Sequence, residues 1–111
     1  MKPDLLRGHL DAMILAVLEH QPRHGYAIME ALQARSGGAL DLPTGTLYPA
    51  LRRLERAGYL RSDWSTVGGR QRRTYQLTEG GARALRAERT QWREFSTVVE
   101  GVLRAGPAGA G

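Results

Sequence analysis

The stretch Pro43 to Leu60, PTGTLYPALRRLERAGYL, constrains the chain more than any other part of it. At about 100° per residue on a helical wheel, Leu47, Ala50, Leu51, Leu54 and Ala57 gather on one side. That is an apolar stripe wide enough to seat on a small core. The opposite side collects Gly45, Tyr48, Pro49, Arg52 and Arg56. One face is therefore built to be buried, and the other carries two guanidinium groups, a phenol and a glycine. Glycine lets a bulky partner approach the backbone closely, and arginine binds phosphate and guanine edges in a bidentate way. A solvated basic face on an ordinary helix has the same composition, so the stretch alone leaves both readings open.

The start of this helix has two candidate N-caps, Thr44 and Thr46. Pro49 lacks an N–H and sits best in a first turn, which favours the later start. With either start, Thr44, Gly45, Thr46 and Tyr48 lie near an N-terminal end whose free N–H groups and dipole favour phosphate.

The charge balance points the same way. The chain has 111 residues, with sixteen basic against eleven acidic side chains and a net charge of +5. The isoelectric point is near 10.4, and a value above about 9 is an electrostatic footprint of nucleic-acid binding. Membrane surfaces and acidic proteins attract the same charge. Cysteine is absent, which removes disulfide frameworks and thiolate metal sites and suits the cytoplasm. The longest apolar run near the start, Ala12 to Leu18, has seven residues, against about 18 for a membrane span. Asp4 and Asp11 interrupt any signal-peptide pattern. A soluble cytoplasmic protein is expected.

The rest of the chain supplies a frame. From His9 to Gln21, Leu10, Met13, Ile14, Val17 and Leu18 repeat with helical spacing, and Pro22 is expected to end that helix. A second helix is predicted from Tyr26 to Arg35 with Ile28, Ala31 and Leu32 inward, stopped by Gly37-Gly38. After Gly58, Tyr59 to Thr66 and Arg72 to Leu77 read as two strands around a glycine-containing tip, Val67 to Gln71. Arg70, Arg72 and Arg73 cluster on the tip and second strand, Leu60 and Leu77 are expected to reach the core, and Trp64 to cover the core or the wing and not to clamp a ligand. Thr78 is the expected N-cap of a final helix from Glu79 to Arg104, weakened by Gly80 and Gly81 in its first turn. Leu85, Trp92 and Val99 share one heptad spacing on it, Phe95 and Val102 the other. A helix of about 25 residues is close to 40 Å long, more than a three-helix core can cover. An uncovered stripe of that length implies a partner helix, most simply from a second copy. The residues from 105 to 111 are expected to form a disordered tail.

Helix, helix, helix, two-stranded ribbon, long helix is the order of a winged helix-turn-helix, residues 5–77, with an appended dimerisation helix, residues 78–104. The fold class is mainly α with a small β-ribbon. The third helix is then the reader of a DNA groove, and Arg70, Arg72 and Arg73 on the wing meet the adjacent backbone or minor groove.

These same residues carry a resemblance. GTLYPALRRLERAGYL followed by GGRQRRTYQLTEGG resembles the signature of the PadR family of winged-helix transcriptional regulators. Upstream, RGHLDAMILAVLEHQPRHGYAIMEAL is similar to that family's first two helices, including the turn at His24, Gly25 and Tyr26. The resemblance spans about Leu5 to Ala84 and implies a homodimer on double-stranded DNA, usually a repressor, in some members responsive to phenolic compounds or drugs. The single final helix resembles the short subfamily, where it builds the dimer with the first helix. By position, Thr46 and Tyr48 match the family's recognition-helix threonine and tyrosine, Arg52 a basic position on the same helix, and Arg70 the basic wing tip. Gly81 departs from local capping logic, which prefers Glu there.

Several residues keep two readings. Tyr26 falls on the polar side of the second helix and either touches the DNA backbone or packs under the wing. Trp92 and Phe95 either stack on a small aromatic effector or simply pack the dimer interface with Leu85, Val99 and Val102. His9, His20 and His24 make no metal site, because Pro22 breaks the helix that would align the last two. No nucleophile elbow, phosphate loop or HExxH occurs, so neither an enzyme nor a cofactor is expected. The alternative function is a winged-helix module that binds a protein through the same basic surface or the final helix, without an operator.

Overall fold

The structure is a computed structural model, and residues 8–106 are described. The tail from residue 107 onward lies outside the described residues, as does most of the lead-in. Four helices and three strands follow one another: α1 (Leu10–Val17), β1 (Arg23–His24), α2 (Gly25–Arg35), α3 (Thr44–Arg56), β2 (Leu60–Val67), β3 (Arg70–Leu77) and α4 (Glu79–Leu103).

The apolar stripes meet as their spacing requires. Ile14, Val17 and Leu18 of α1, Ile28 and Leu32 of α2, and Leu47, Ala50, Leu51 and Leu54 of α3 form a buried core with Leu60 and Tyr75 from the wing. Three core residues have no periodic signal behind them. Leu15 is buried beside Ile14, and Leu40 and Leu42 plug the core from the connection between α2 and α3. Ala57, expected in the stripe, is exposed because α3 ends before it.

Helix α1 stops at Val17 rather than at Gln21. Two arginines take over its end: Arg23 Nε donates to Val17 O at 2.8 Å and Arg35 Nη1 donates to Ala16 O at 3.3 Å. Satisfying these terminal carbonyls from outside lets the chain turn before Pro22. Arg23 and His24 then pair with Tyr75 and Thr74 of β3. The sheet therefore has three antiparallel strands in the order β1-β3-β2, where the sequence pattern called for two. A two-residue strand is too short to leave an alternation signal.

Helix α3 starts early, at Thr44, with Pro43 in the cap position and no side-chain cap. Pro49 therefore stands inside the helix, and the missing N–H is the one that would close on Gly45 O. The other end is tightly made. Tyr59 N donates to Leu54 O and Gly58 N to Glu55 O, both at 3.0 Å, with Gly58 at φ +81°. This is the paired-bond termination that favours glycine, and it sends the chain straight into β2. Strands β2 and β3 pair from Leu60↔Leu77 to Val67↔Arg70, so the tip is only Gly68-Gly69, both at positive φ. That matches the two-residue turn whose twist suits a hairpin.

The root of α4 is packed backbone to backbone. Thr78 caps it, accepting from Gly81 N at 3.0 Å, as the sequence predicted. Thr78 also donates through Oγ1 to Gly58 O at 2.6 Å and through its N–H to Tyr59 O at 3.1 Å. A Cβ on Gly81 would sit 2.1 Å from Tyr59 O and 2.8 Å from Leu77 Cδ1. The glycine that capping logic disfavours is required by this approach. Further along, Leu85 is 2% exposed within the same core. The expectation that Leu85 belongs to a dimer seam is thereby corrected: two turns of α4 are needed to close the winged-helix core. Arg89 then clasps Glu19 at the end of α1, Nη1 to Oε2 at 2.8 Å and Nη2 to Oε1 at 2.9 Å.

Two outcomes test this frame. Gly81→Ala raises helix propensity by about 1 kcal/mol yet is expected to destabilise by about 1–3 kcal/mol through overpacking, measured by urea unfolding; a stabilised variant would contradict the close approach. For the clasp, hydrogen bonding to Arg89 holds the Glu19 carboxyl below its ordinary range. A carboxyl lowered in the folded state contributes stability above its unfolded value, lost as pH falls through the folded one. Arg89→Ala should therefore lower the unfolding free energy at neutral pH, by at most about 1 kcal/mol for so exposed a pair. The difference from the parent should close in acid.

Candidate nucleic-acid interface

The early start of α3 turns its first residues outward. Thr44, Gly45, Thr46, Tyr48, Arg52 and Arg56 are all exposed, and a Cβ on Gly45 would meet nothing within 4 Å. Thr46 N and Leu47 N both close on Pro43 O. The N–H groups of Thr44 and Gly45 find no acceptor among the described residues, and the first turn has no acid. A further arginine on this helix is used elsewhere: Arg53 Nη2 meets Asp11 Oδ1 at 2.7 Å and ties α3 to α1.

Tyr48 leans across to α2. A Cβ on Gly25 would fall 2.5 Å from its hydroxyl oxygen and 2.8 Å from Cζ, so the phenol rests on bare backbone. Gly25 is a packing position within the turn at His24-Gly25-Tyr26, and only the seat of the Tyr48 ring shows why a glycine stands there. Tyr26, 60% exposed, is not packed under the wing. It lines a cleft of about 720 Å³ together with Tyr48, Trp64, Arg70, Arg72 and Arg73. A second groove of about 340 Å³ is lined by Arg52, Glu55, Arg56, Arg73 and Tyr75. Arg73 and Tyr75 line both, so helix and wing arginines open onto adjoining grooves of one surface. Tyr75 is the buried floor; burial pushes its phenol above the ordinary value, and the nearby Glu55 charge adds to that.

The wing arginines do not form a single cluster. Strand alternation puts Arg70 and Arg72 on one face of β3 and Arg73 on the other, with Tyr75. Arg70, beside the glycine tip, has no ion-pair or hydrogen-bond partner among the described residues, and the same holds for Arg52 and Arg56. Arg72 Nη1 lies 3.1 Å from His24 Nε2. His24 Nδ1 already accepts from Ala27 N at 3.3 Å and caps α2. A neutral imidazole has one acceptor nitrogen, so the ring can serve only one of these two donors, and most of the five N–H donors of Arg72 stay available to an incoming anion whichever it serves. Arg73 is different. Its Nε donates to Ser62 Oγ at 2.8 Å, and its guanidinium lies 5.5 Å from the centre of the Trp64 ring. Trp64, expected to cover either the core or the wing, is 65% exposed and lies against Arg73 of the wing and not on the core.

The remaining aromatics sit apart, on α4. Trp92 stands edge-on to His9 with ring centroids 5.2 Å apart, and Phe95 follows at 6.1 Å. Trp92 is 54% exposed. Phe95, Val98, Val102 and Leu103 are exposed too, and Val99 is half-buried, so the apolar stripe beyond Arg89 is uncovered within one chain. Among the described residues no group of three potential ligands could hold a metal ion, and no helix is long and apolar enough to cross a membrane.

A family model described as the transcriptional regulator PadR-like family matches residues 14–87, from α1 into α4. The chain belongs to the PadR-like family. The solved PadR-family regulator of Eggerthella lenta is 35% identical with a TM-score of 0.79, over 93% of this chain and 88% of that one. A transcriptional regulator of Clostridium thermocellum superposes with a TM-score of 0.83 at 26% identity, over 91% and 99% of the two chains. A transcriptional regulator of Mycobacterium tuberculosis is 38% identical over 79 residues, 71% of this chain and 61% of its own length. The match places this chain among transcriptional regulators with the winged-helix fold.

The seat of Tyr48 gives a direct test of the interface geometry in this PadR-like protein. Gly25→Ala should destabilise by about 1–3 kcal/mol in the parent and by far less in a Tyr48→Ala background, because the colliding ring is gone. Urea unfolding of the four proteins measures the coupling; equal effects in both backgrounds would mean that the phenol does not fill that space.

Proposed function

We propose that this PadR-like regulator is a sequence-specific DNA-binding repressor that acts in the cytoplasm as a homodimer on an inverted-repeat operator. The observation that carries this reading is the open arginine surface: Arg52 and Arg56 of α3 and Arg70 and Arg72 of the wing line adjoining grooves, and none of the four has an ion-pair partner among the described residues. The N-terminal end of α3, with Thr44, Gly45, Thr46 and Tyr48, meets backbone phosphate. Arg52 and Arg56 reach base edges or phosphate from the major groove. Arg70 and Arg72 hold the flanking backbone or minor groove, and Tyr26 extends the phosphate contacts from α2.

The helix of residues 78–104 is the dimerisation element through its half beyond Arg89, the first two turns belonging to the core. The uncovered stripe of Trp92, Phe95, Val99 and Val102 supports this, since monomers rarely leave such a face to water. In a two-fold pair the same patch covers itself. Trp92 and Phe95 also offer flat rings to a small aromatic effector, whose binding between the helices would release the operator. That step rests on the exposure of both rings.

Selection of bound duplexes from a random pool tests the reading, repeated with candidate aromatic ligands. The expected product is an inverted repeat whose half-sites are centred about 34–36 Å, or a multiple of that, apart. Affinity should fall with salt by a log–log slope of about −0.9 per phosphate neutralised. Arg52→Ala should weaken binding by about 1–3 kcal/mol and relax one position of the site if that side chain reads a base. A pool that never enriches, with no duplex bound at low salt, would favour the protein-binding alternative.

A further inference from the structure

We infer that Glu55 is a positioning residue that locks the wing to α3 and sets the angle at which the two elements meet DNA. The inference rests on the DNA-binding reading above, but one of its tests does not need DNA.

Glu55 is the acid in a groove otherwise lined by Arg52, Arg56, Arg73 and Tyr75. A carboxylate on a face that receives phosphates is repulsive by simple charge counting, so its presence calls for a structural use. The side chain points at the root of the wing and reaches both of its strands. Ser62 of β2 donates from Oγ to Glu55 Oε2 at 3.0 Å. Ser62 Oγ in turn accepts from Arg73 Nε of β3 at 2.8 Å. Arg73 Nη2 stands 4.0 Å from the same Oε2. Carboxylate, hydroxyl and guanidinium thus close a triangle across three elements. Ser62 and Tyr75 are register partners, so the triangle sits just above the buried floor of the groove.

The fourth member is Trp64, the register partner of Arg73, under whose guanidinium its ring lies. Arg73 is consequently spoken for on three sides, by Ser62, Glu55 and the Trp64 ring. It differs in this from Arg70 and Arg72, and its work is to brace the hairpin instead of gripping phosphate. The hairpin beyond this point has no other side-chain hydrogen bond to α3 among the described residues. Cutting the triangle leaves the outer part of the hairpin, beyond the Ser62↔Tyr75 pair, with no side-chain tie to the reading helix, so that it can bend on its anchored root.

The test uses the sign of an effect. Glu55→Gln removes the repulsive charge and keeps the shape. If Glu55 were only a solvated acid near DNA, binding of a fluorescein-labelled mixed-sequence 24-base-pair duplex at low salt would tighten. As a positioning residue its loss weakens binding, by about tenfold if one charge-assisted hydrogen bond is the coupling. Ser62→Ala should weaken binding comparably, and Ser62→Thr, which keeps the hydroxyl, should restore it. The second readout is made without DNA in a Trp92→Phe background, where Trp64 is the sole tryptophan. Glu55→Gln and Ser62→Ala should each raise the acrylamide quenching constant of Trp64 and lower its anisotropy, with the far-ultraviolet helix signal retained. If Glu55→Gln fails to fold, Ser62→Ala carries the test, because it leaves α3 unchanged. Tighter duplex binding by Glu55→Gln, or Trp64 quenching unmoved in both variants, overturns the inference. If the parent protein binds no duplex, the proposed function falls, and the quenching result alone decides whether the brace exists.

Discussion

The structure depends on one crowded point, where the carbonyl oxygen of Tyr59 meets the first turn of α4. Three elements converge there. The end of α3 delivers Gly58 and Tyr59, the end of β3 delivers Thr78, and α4 begins at once. Thr78 serves all three, donating to Gly58 O and Tyr59 O and accepting from Gly81 N. The absence of a side chain at position 81 lets the helix come down onto the Tyr59 carbonyl. Because these bonds join the reader, the wing and the long helix within a few residues, none of the three can tilt without disturbing the others. Rigid support of this kind is what a reading surface needs, since side chains must be held to fractions of an ångström to select a partner.

Much of this was legible in the residues. The helical spacings of α1, α2 and α3 named most of the core correctly, and the basic side of α3 is as exposed as its wheel requires. Thr78 was legible as a cap, and the glycine pair at the tip as a hairpin. What was not legible depended on contacts between distant segments. The start of α3 is ambiguous in the sequence, and Pro49 locally favours the later of two starts, whereas Leu47 must enter the core and the helix begins at Thr44. Strand β1 exists only because β3 offers an edge to Arg23 and His24. Leu40 and Leu42 lie in a connection without periodicity, and only the space they fill shows that they belong to the core. Leu85 was assigned to a partner surface because heptad spacing cannot say which of two surfaces a residue meets.

The interface shows the same division. Residue type marked the arginines, but alternation along β3 and the neighbours of each side chain decide their roles. Arg72 shares an imidazole with the cap of α2, Arg70 is exposed beside the tip, and Arg73 is enclosed by Ser62, Glu55 and Trp64. Three arginines within four positions are thus chemically unlike. Glu55 drew no attention in the sequence as one acid in an arginine-rich helix, and only its reach to Ser62 separates it from a solvated carboxylate. Tyr48 and Gly25, 23 positions apart in the chain, form a single fitted contact that neither would announce alone.

The clasp between Arg89 and Glu19 marks where α4 parts from the body of the molecule. Before it the helix is core; after it, beyond the contact of Trp92 with His9, most of the apolar side is exposed. In the proposed symmetric pair, joined by that free half, the helix would work as the arm of a calliper whose pivot is fixed in the body. The gap between the two reading heads is then measured out by arm length and departure angle, not by the residues that touch bases. Lengthening the arm by a turn, or loosening its pivot, would change which spacing of half-sites fits while leaving each half-site's preferred bases alone.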